Sequence, residues 1–125
     1  MDFRASLGKT VVIVDDDEAL LNALGFSLET EGYQVRCHPS VTDFLRSARP
    51  WEASVLIIDQ HLPDGAGLDL IALVQEAGIL APAILVTTNP SRSVQARAQE
   101  LHVTLIEKPL LGDTLFSEVH RLSDL

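Results

Sequence analysis

Cysteine is almost missing from this chain. Cys37 stands alone among 125 residues, so no intrachain disulfide can form and stability rests on packing; this fits a reducing, cytoplasmic setting. Its ordinary reading is a small, partly buried strand residue. Basic residues are also scarce: 9 Lys and Arg face 18 Asp and Glu, for a formal net charge of −9. That balance disfavours non-specific adhesion to nucleic acid or to anionic lipid, while leaving room for a small basic patch. No apolar run approaches the roughly 18–20 residues needed to span a bilayer. The opening Met1-Asp2-Phe3-Arg4 lacks the apolar core of a signal peptide. Repeats, low-complexity tracts and linkers are absent, as are G-x-G-x-x-G and G-x-x-x-x-G-K-[ST] phosphate loops. The four histidines, His38, His61, His102 and His120, have no metal-ligand spacing.

What is present suits one domain with one core, since 46% of residues are hydrophobic and 22% charged. Apolar segments alternate between two kinds. Thr10 to Val14 is a short β-branched run, read as a fully buried strand. Glu18 to Glu31 carries Leu21, Leu24 and Leu28 at helical spacing and ends at Gly32. Tyr33 to Cys37 reads as a second strand, and Ser40 caps a helix reaching about Ala48. Ser54 to Ile58 is the third strand, and Leu68 to Ala77, closed by Gly78, the third helix. Ala83 to Val86 and Val103 to Ile106 are the fourth and fifth strands; Ser91 to Leu101 is a polar fourth helix and Gly112 to Leu122 the last. Strict alternation predicts an α/β fold, a parallel sheet with helices on both faces. With right-handed crossovers the natural arrangement is a flavodoxin-like (βα)5 domain over residues 1–125, with strand order 2-1-3-4-5. Ligands bind such sheets beyond the carboxyl ends of the strands, where the order reverses.

Those ends gather chemistry. The first strand runs into Asp15-Asp16-Asp17, the third into Asp59, the fourth into Thr87-Thr88 and the fifth into Glu107-Lys108-Pro109. Clustered carboxylates resist joint ionisation, and a hard cation with oxygen ligands, such as Mg²⁺, relieves them. A lysine and a hydroxyl can hold the remaining oxygens of a phosphoryl group, and a carboxylate can itself be the nucleophile. Three aspartates after the first strand favour a cation there over the phosphate of a nucleotide or flavin. Taken singly, each residue has an ordinary role: the acidic run caps a helix, Asp59 begins a turn, Thr87 is a buried hydroxyl and Lys108 a solvated charge. Their joint placement at four strand ends is what argues for function.

As a set, VVIVDDD (Val11 to Asp17), LIIDQHLPDGAG (Leu56 to Gly67), ILVTT (Ile84 to Thr88) and EKP (Glu107 to Pro109) resemble the receiver domain of bacterial response regulators. The resemblance covers essentially the whole chain, and the wording around Val12 to Asp16 and Ile106 to Pro109 is similar to receivers of the FixJ type. It implies a Mg²⁺-dependent two-component switch in which Asp59 accepts a phosphoryl group. Asp16 would bind Mg²⁺ directly, Asp15 through water, with Asp59 and the main-chain carbonyl of His61 as further ligands. Thr87 would hold a phosphoryl oxygen and move on phosphorylation. Lys108 would pair with Asp59 before transfer and with the phosphoryl group after it, on a loop where Pro109 follows a cis bond.

The resemblance further implies a phosphohistidine donor on a sensor histidine kinase or histidine phosphotransfer protein. It also implies a downstream protein at the face of the fourth helix, fifth strand and fifth helix, where Arg92 and Arg97 lie, and a phosphorylation-dependent dimer. Direct nucleic-acid binding, membrane association and enzymatic turnover of a substrate are not expected, and no output domain is recognised. The chain reads equally as a single-domain regulator or a piece of something longer. Departures from the family pattern are Leu105 in place of an aromatic switch residue, Thr88 in place of Ala or Gly, Ala66 in place of a helix-capping Asp or Ser, and Leu110 in place of an aromatic. Leu105 puts ring-flip signalling in doubt. Thr88 narrows access to the phosphoryl group, and His61 and Asn89, neither a carboxylate, flank the path of a hydrolytic water. The rival readings are a degenerate receiver that only binds, and an aspartyl phosphatase; His61 stands where the latter wants a second acid.

Overall fold

The computed structural model describes residues 8–110 and 112–125; the opening tetrapeptide lies outside them. Five parallel strands form the sheet: β1 (Thr10–Val14), β2 (Gln34–His38), β3 (Val55–Asp59), β4 (Ala83–Thr87) and β5 (Thr104–Glu107). Five α-helices connect or follow them: α1 (Glu18–Thr30), α2 (Val41–Ser47), α3 (Gly67–Glu76), α4 (Arg92–Glu100) and α5 (Thr114–Ser123). The strand order is β2-β1-β3-β4-β5, all parallel, as the alternation predicts.

Successive strand residues point to opposite faces, and here the two faces feed two cores. Val12, Val14, Leu56, Ile58, Ala83 and Leu85 pack with Phe44 of α2 and with Leu70, Ile71 and Val74 of α3. Val11, Ile13, Val55, Ile57, Ile84 and Val86 pack with Leu21, Leu24 and Leu28 of α1 and Leu115, Val119 and Leu122 of α5. β1, β3 and β4 are buried along their whole length, which explains their unbroken apolar wording. Each fully buried Val, Leu or Ile contributes about 1.5–3 kcal/mol, so the central strands anchor the edge from which the polar residues emerge. No helix among the described residues is long and apolar enough to cross a membrane.

Boundaries shift by a residue where hydrogen bonding overrides wording. Tyr33 is not in β2: its N–H is held by the Leu28 carbonyl at the end of α1, and pairing with β1 begins at Gln34. Asp59 lies inside β3 because it still pairs with Val86. A 3₁₀ turn at Pro50–Glu52 and a two-residue ladder pairing His61–Leu62 with Gly65–Ala66 have no counterpart in the apolar pattern. Cys37 is exposed on β2, yet burial still pushes its thiol up, so part of the side chain is covered. β2 is an edge strand, and Val35 on it packs against the α1 side.

Candidate functional site

The carboxyl ends of β1, β3, β4 and β5 meet at one cleft. Asp15 and Asp59 are 2% and 5% exposed, and Thr87 is 1% exposed. The Lys108 ammonium reaches over both acids, 3.1 Å from Asp15 Oδ2 and 3.5 Å from Asp59 Oδ1. Its backbone N–H donates to the Thr87 carbonyl at 2.8 Å, tying the β5 loop to the end of β4. The Lys108–Pro109 bond is cis. Thr87 keeps its hydroxyl nearly uncommitted, with one contact of 3.5 Å to the Thr88 carbonyl, at the limit of hydrogen-bonding range.

The acidic run divides its labour. Asp17 is the N-cap of α1 and accepts from Leu20 N–H. Asp15 is turned inward, its Oδ1 accepting from Asp17 N–H at 2.9 Å. Asp16 is exposed and caps nothing. The capping explanation therefore covers one aspartate of three. Carboxylate oxygens of Asp15, Asp16 and Asp59 lie within 4.8 Å of one another. This set is all oxygen, part buried and part open, and fits a hard divalent cation rather than a thiolate- or imidazole-preferring one.

Electrostatics follow from that crowding. Burial, then the Asp15 charge, push the Asp59 carboxyl above the ordinary aspartate range; Lys108 and the His61 backbone N–H pull it down without cancelling the rise. Burial depresses Lys108, but the hydrogen bond and charge of Asp15, with those of Asp59, outweigh it and hold the ammonium above its usual value. Lys108 is thus a committed cation.

Other expected residues sit further out. Thr88 and Asn89 are exposed on the loop after β4, Asn89 with φ +44°. The His61 side chain is exposed, while its backbone pairs with Ala66. Arg97 bonds Asp69 of α3 at 2.6 Å, so it faces the neighbouring helix rather than the β5 side.

Three further residues shape the loop after Asp59. Ala66 gives α3 no side-chain cap; instead Gln60 Oε1 accepts from Leu68 N–H at 2.9 Å, and the Gln60 carbonyl accepts from Gly67 N–H at 3.0 Å. Gly67 must be glycine, because a Cβ there would sit 2.3 Å from the Asp59 carbonyl oxygen. Asp64 accepts from Val41 N–H and Thr42 N–H, each at 2.8 Å, and from the Thr42 hydroxyl, pinning the loop to α2. Gly67 and Asp64 lie in the LPDGAG wording; Asp64 bonds to residues more than twenty positions earlier, and Gly67 meets Asp59 only once the loop has closed.

The model of the response regulator receiver domain matches residues 11–120. The transcriptional regulatory protein FixJ of Rhizobium meliloti is 31% identical over 116 residues, covering 92% of this chain and 57% of that protein. The tetrathionate response regulatory protein TtrR of Salmonella typhimurium is 33% identical over 114 residues, 90% of this chain and 55% of that protein. The chain thus spans little more than half the length of these relatives. Among solved structures, the non-phosphorylated HemR receiver domain of Leptospira biflexa superposes with a TM-score of 0.86 at 25% identity, covering 94% of this chain and 95% of that one. A CheY-like receiver domain protein from Methanospirillum hungatei gives 0.84 at 27% identity, covering 95% of each.

The chain belongs to the response regulator receiver domain family. It is a two-component signalling domain of the phosphorelay type, with a CheY-like fold.

Proposed function

We propose that Asp59 is the phosphoacceptor of this receiver and that Mg²⁺ is its cofactor, held by Asp16 directly, Asp15 through water, Asp59 and the His61 carbonyl. The carrying observation is the buried pair Asp15 and Asp59 bridged by Lys108 at 3.1 and 3.5 Å. An Asp59 oxygen attacks phosphorus, the phosphorus–nitrogen bond of a phosphohistidine breaks, and its electron pair returns to the imidazole, which takes up a proton. Lys108 neutralises charge on Asp59 before attack and on the phosphoryl oxygens afterwards. Thr87, with its hydroxyl nearly free, donates to a phosphoryl oxygen. When bound, the metal offsets the mutual repulsion of the carboxylates and the negative charge of the transferring group.

The donor is a sensor histidine kinase or histidine phosphotransfer protein. The readout is a downstream protein, or a second phosphorylated copy, at the surface of α4, β5 and α5. Leu105 on β5 is packed half-buried against the core, so this face responds through the Thr87 loop rather than through a rotating ring. Thr88, Asn89 and His61 tune the lifetime of the phosphorylated state: none is a carboxylate able to orient an attacking water strongly, and Thr88 adds bulk.

Incubation with acetyl phosphate and MgCl₂, followed by intact-mass measurement, tests the reading. One phosphoryl mass is expected on the wild type and none on Asp59→Asn. An undiminished adduct on the variant overturns the assignment.

A further inference from the structure

Gln60 lies between two residues of the proposed site, Asp59 and His61, and makes three hydrogen bonds that no neighbour duplicates. Its N–H donates to the Val86 carbonyl at 2.9 Å, prolonging the β3–β4 ladder one residue beyond Asp59. Its carbonyl accepts from Gly67 N–H at 3.0 Å, and its side-chain Oε1 from Leu68 N–H at 2.9 Å. The last bond does the work of an N-cap: helix starts leave backbone donors unpaired, Ala66 supplies no side-chain acceptor, and Leu68 is buried. The cap reaches α3 from the far end of the loop it closes. Residues 60–68 thus form a loop closed by the Gly67–Gln60 backbone bond, the His61–Ala66 pairing and the Gln60 side chain, and the loop carries the His61 amide that faces the Asp59 carboxylate.

We propose that Gln60 is a positioning residue: its bond to Leu68 N–H locks the loop and so fixes the His61 backbone and the Asp59 carboxylate in the arrangement that binds Mg²⁺ and receives phosphate. An Ala at 66 is tolerated because Gln60 takes over its capping task, and the cap is thereby coupled to the site. This inference rests on the Mg²⁺ and phosphoacceptor reading above. Groups that hold metal ligands in place typically govern affinity by about ten-fold or more.

The test uses Gln60→Met, which keeps length and packing but removes the acceptor, and the double variant Gln60→Met/Ala66→Ser, which returns a cap at position 66, where the backbone is already extended. MgCl₂ titration followed by amide NMR gives affinity, and hydrogen exchange at Leu68 reports the cap. Gln60→Met should lose Leu68 protection and bind Mg²⁺ about ten-fold more weakly, with slower labelling by acetyl phosphate. The double variant should recover both protection and affinity. If Leu68 protection falls while Mg²⁺ affinity stays unchanged, Gln60 is merely structural and the proposal is overturned. Recovery of protection without recovery of affinity overturns it too. Failure of the underlying reading looks different: the wild type itself would take no phosphate. Should Gln60→Met not fold, Gln60→Asn, too short to reach Leu68, is read by the same titration and the same outcomes.

Discussion

Replacing Asp59 by Asn should make the protein more stable at neutral pH. The native carboxylate is 5% exposed, its oxygen lies within 4.8 Å of an Asp15 oxygen, and its pKa is raised by burial first and by Asp15 second. Two charges at such a distance repel by about 3 kcal/mol at an effective dielectric near 20. Lys108 at 3.5 Å from Asp59 offsets much of that, and solvent at the cleft mouth screens more. A residual cost of about 1–2 kcal/mol remains for the ionised form, equivalent to roughly 4–8 °C in Tm for a domain of this size. Asn removes the charge, keeps the shape, and leaves Lys108 its bond to Asp15 at 3.1 Å. The pH dependence has a definite sign. A raised native pKa means the folded state holds its proton more tightly than the unfolded one, so wild-type stability falls as pH rises from the ordinary aspartate value, about 3.9, through the native value. The advantage of Asn is full above that window and vanishes below it. Thermal melts of both proteins from pH 4 to 8 without Mg²⁺ measure this directly. An Asp59→Asn protein that melts at or below the wild-type temperature at pH 7.5, or whose gain persists undiminished at pH 4, would show that the Asp59 charge does not cost the fold stability.

Gly67→Ala should destabilise by about 1–3 kcal/mol, because its Cβ meets the Asp59 carbonyl oxygen at 2.3 Å; urea melts and Mg²⁺ titration should both show the loss, and a neutral result would mean the contact is easily relieved. Asp64→Ala should lower Tm at pH 7 by unpinning the loop from α2. The Thr42 hydroxyl, with the Thr42 and Val41 amides, holds Asp64 below the usual carboxylate range. Its contribution is therefore present above an ordinary aspartate pKa and lost as pH falls through the lower native value, so wild-type and variant melts should converge in acid. Asn89→Glu should shorten the life of the phosphorylated state by supplying a water-orienting carboxylate; phosphate-loss rates unchanged or slower in this variant would remove Asn89 from the account.

The sheet was legible because β1, β3 and β4 are buried on both faces and therefore read as unbroken apolar runs, and because Asp17, Ser40 and Ser91 mark helix starts in the wording itself. The main side chains of the cleft were legible for a topological reason: parallel strands deliver their C-terminal residues to one edge, so Asp15, Asp59, Thr87 and Lys108 had to converge. What stayed hidden depends on how the loop after Asp59 closes on itself and on α2, which apolar periodicity does not report. Nothing local says that Asp64 caps α2, that Gln60 stands in for the missing cap at Ala66, or that Gly67 abuts the Asp59 carbonyl. Arg97 likewise reads as a free surface charge until α3 brings Asp69 to it.

Phosphate is expected on Asp59 and not on its acidic neighbours. Labelling the wild type with acetyl phosphate and MgCl₂, reducing the acyl phosphate with borohydride and sequencing the peptides by mass spectrometry locates the acceptor residue by residue. Homoserine is expected at position 59 alone; homoserine at Asp15, Asp16 or Asp17, with position 59 intact, would contradict the assignment.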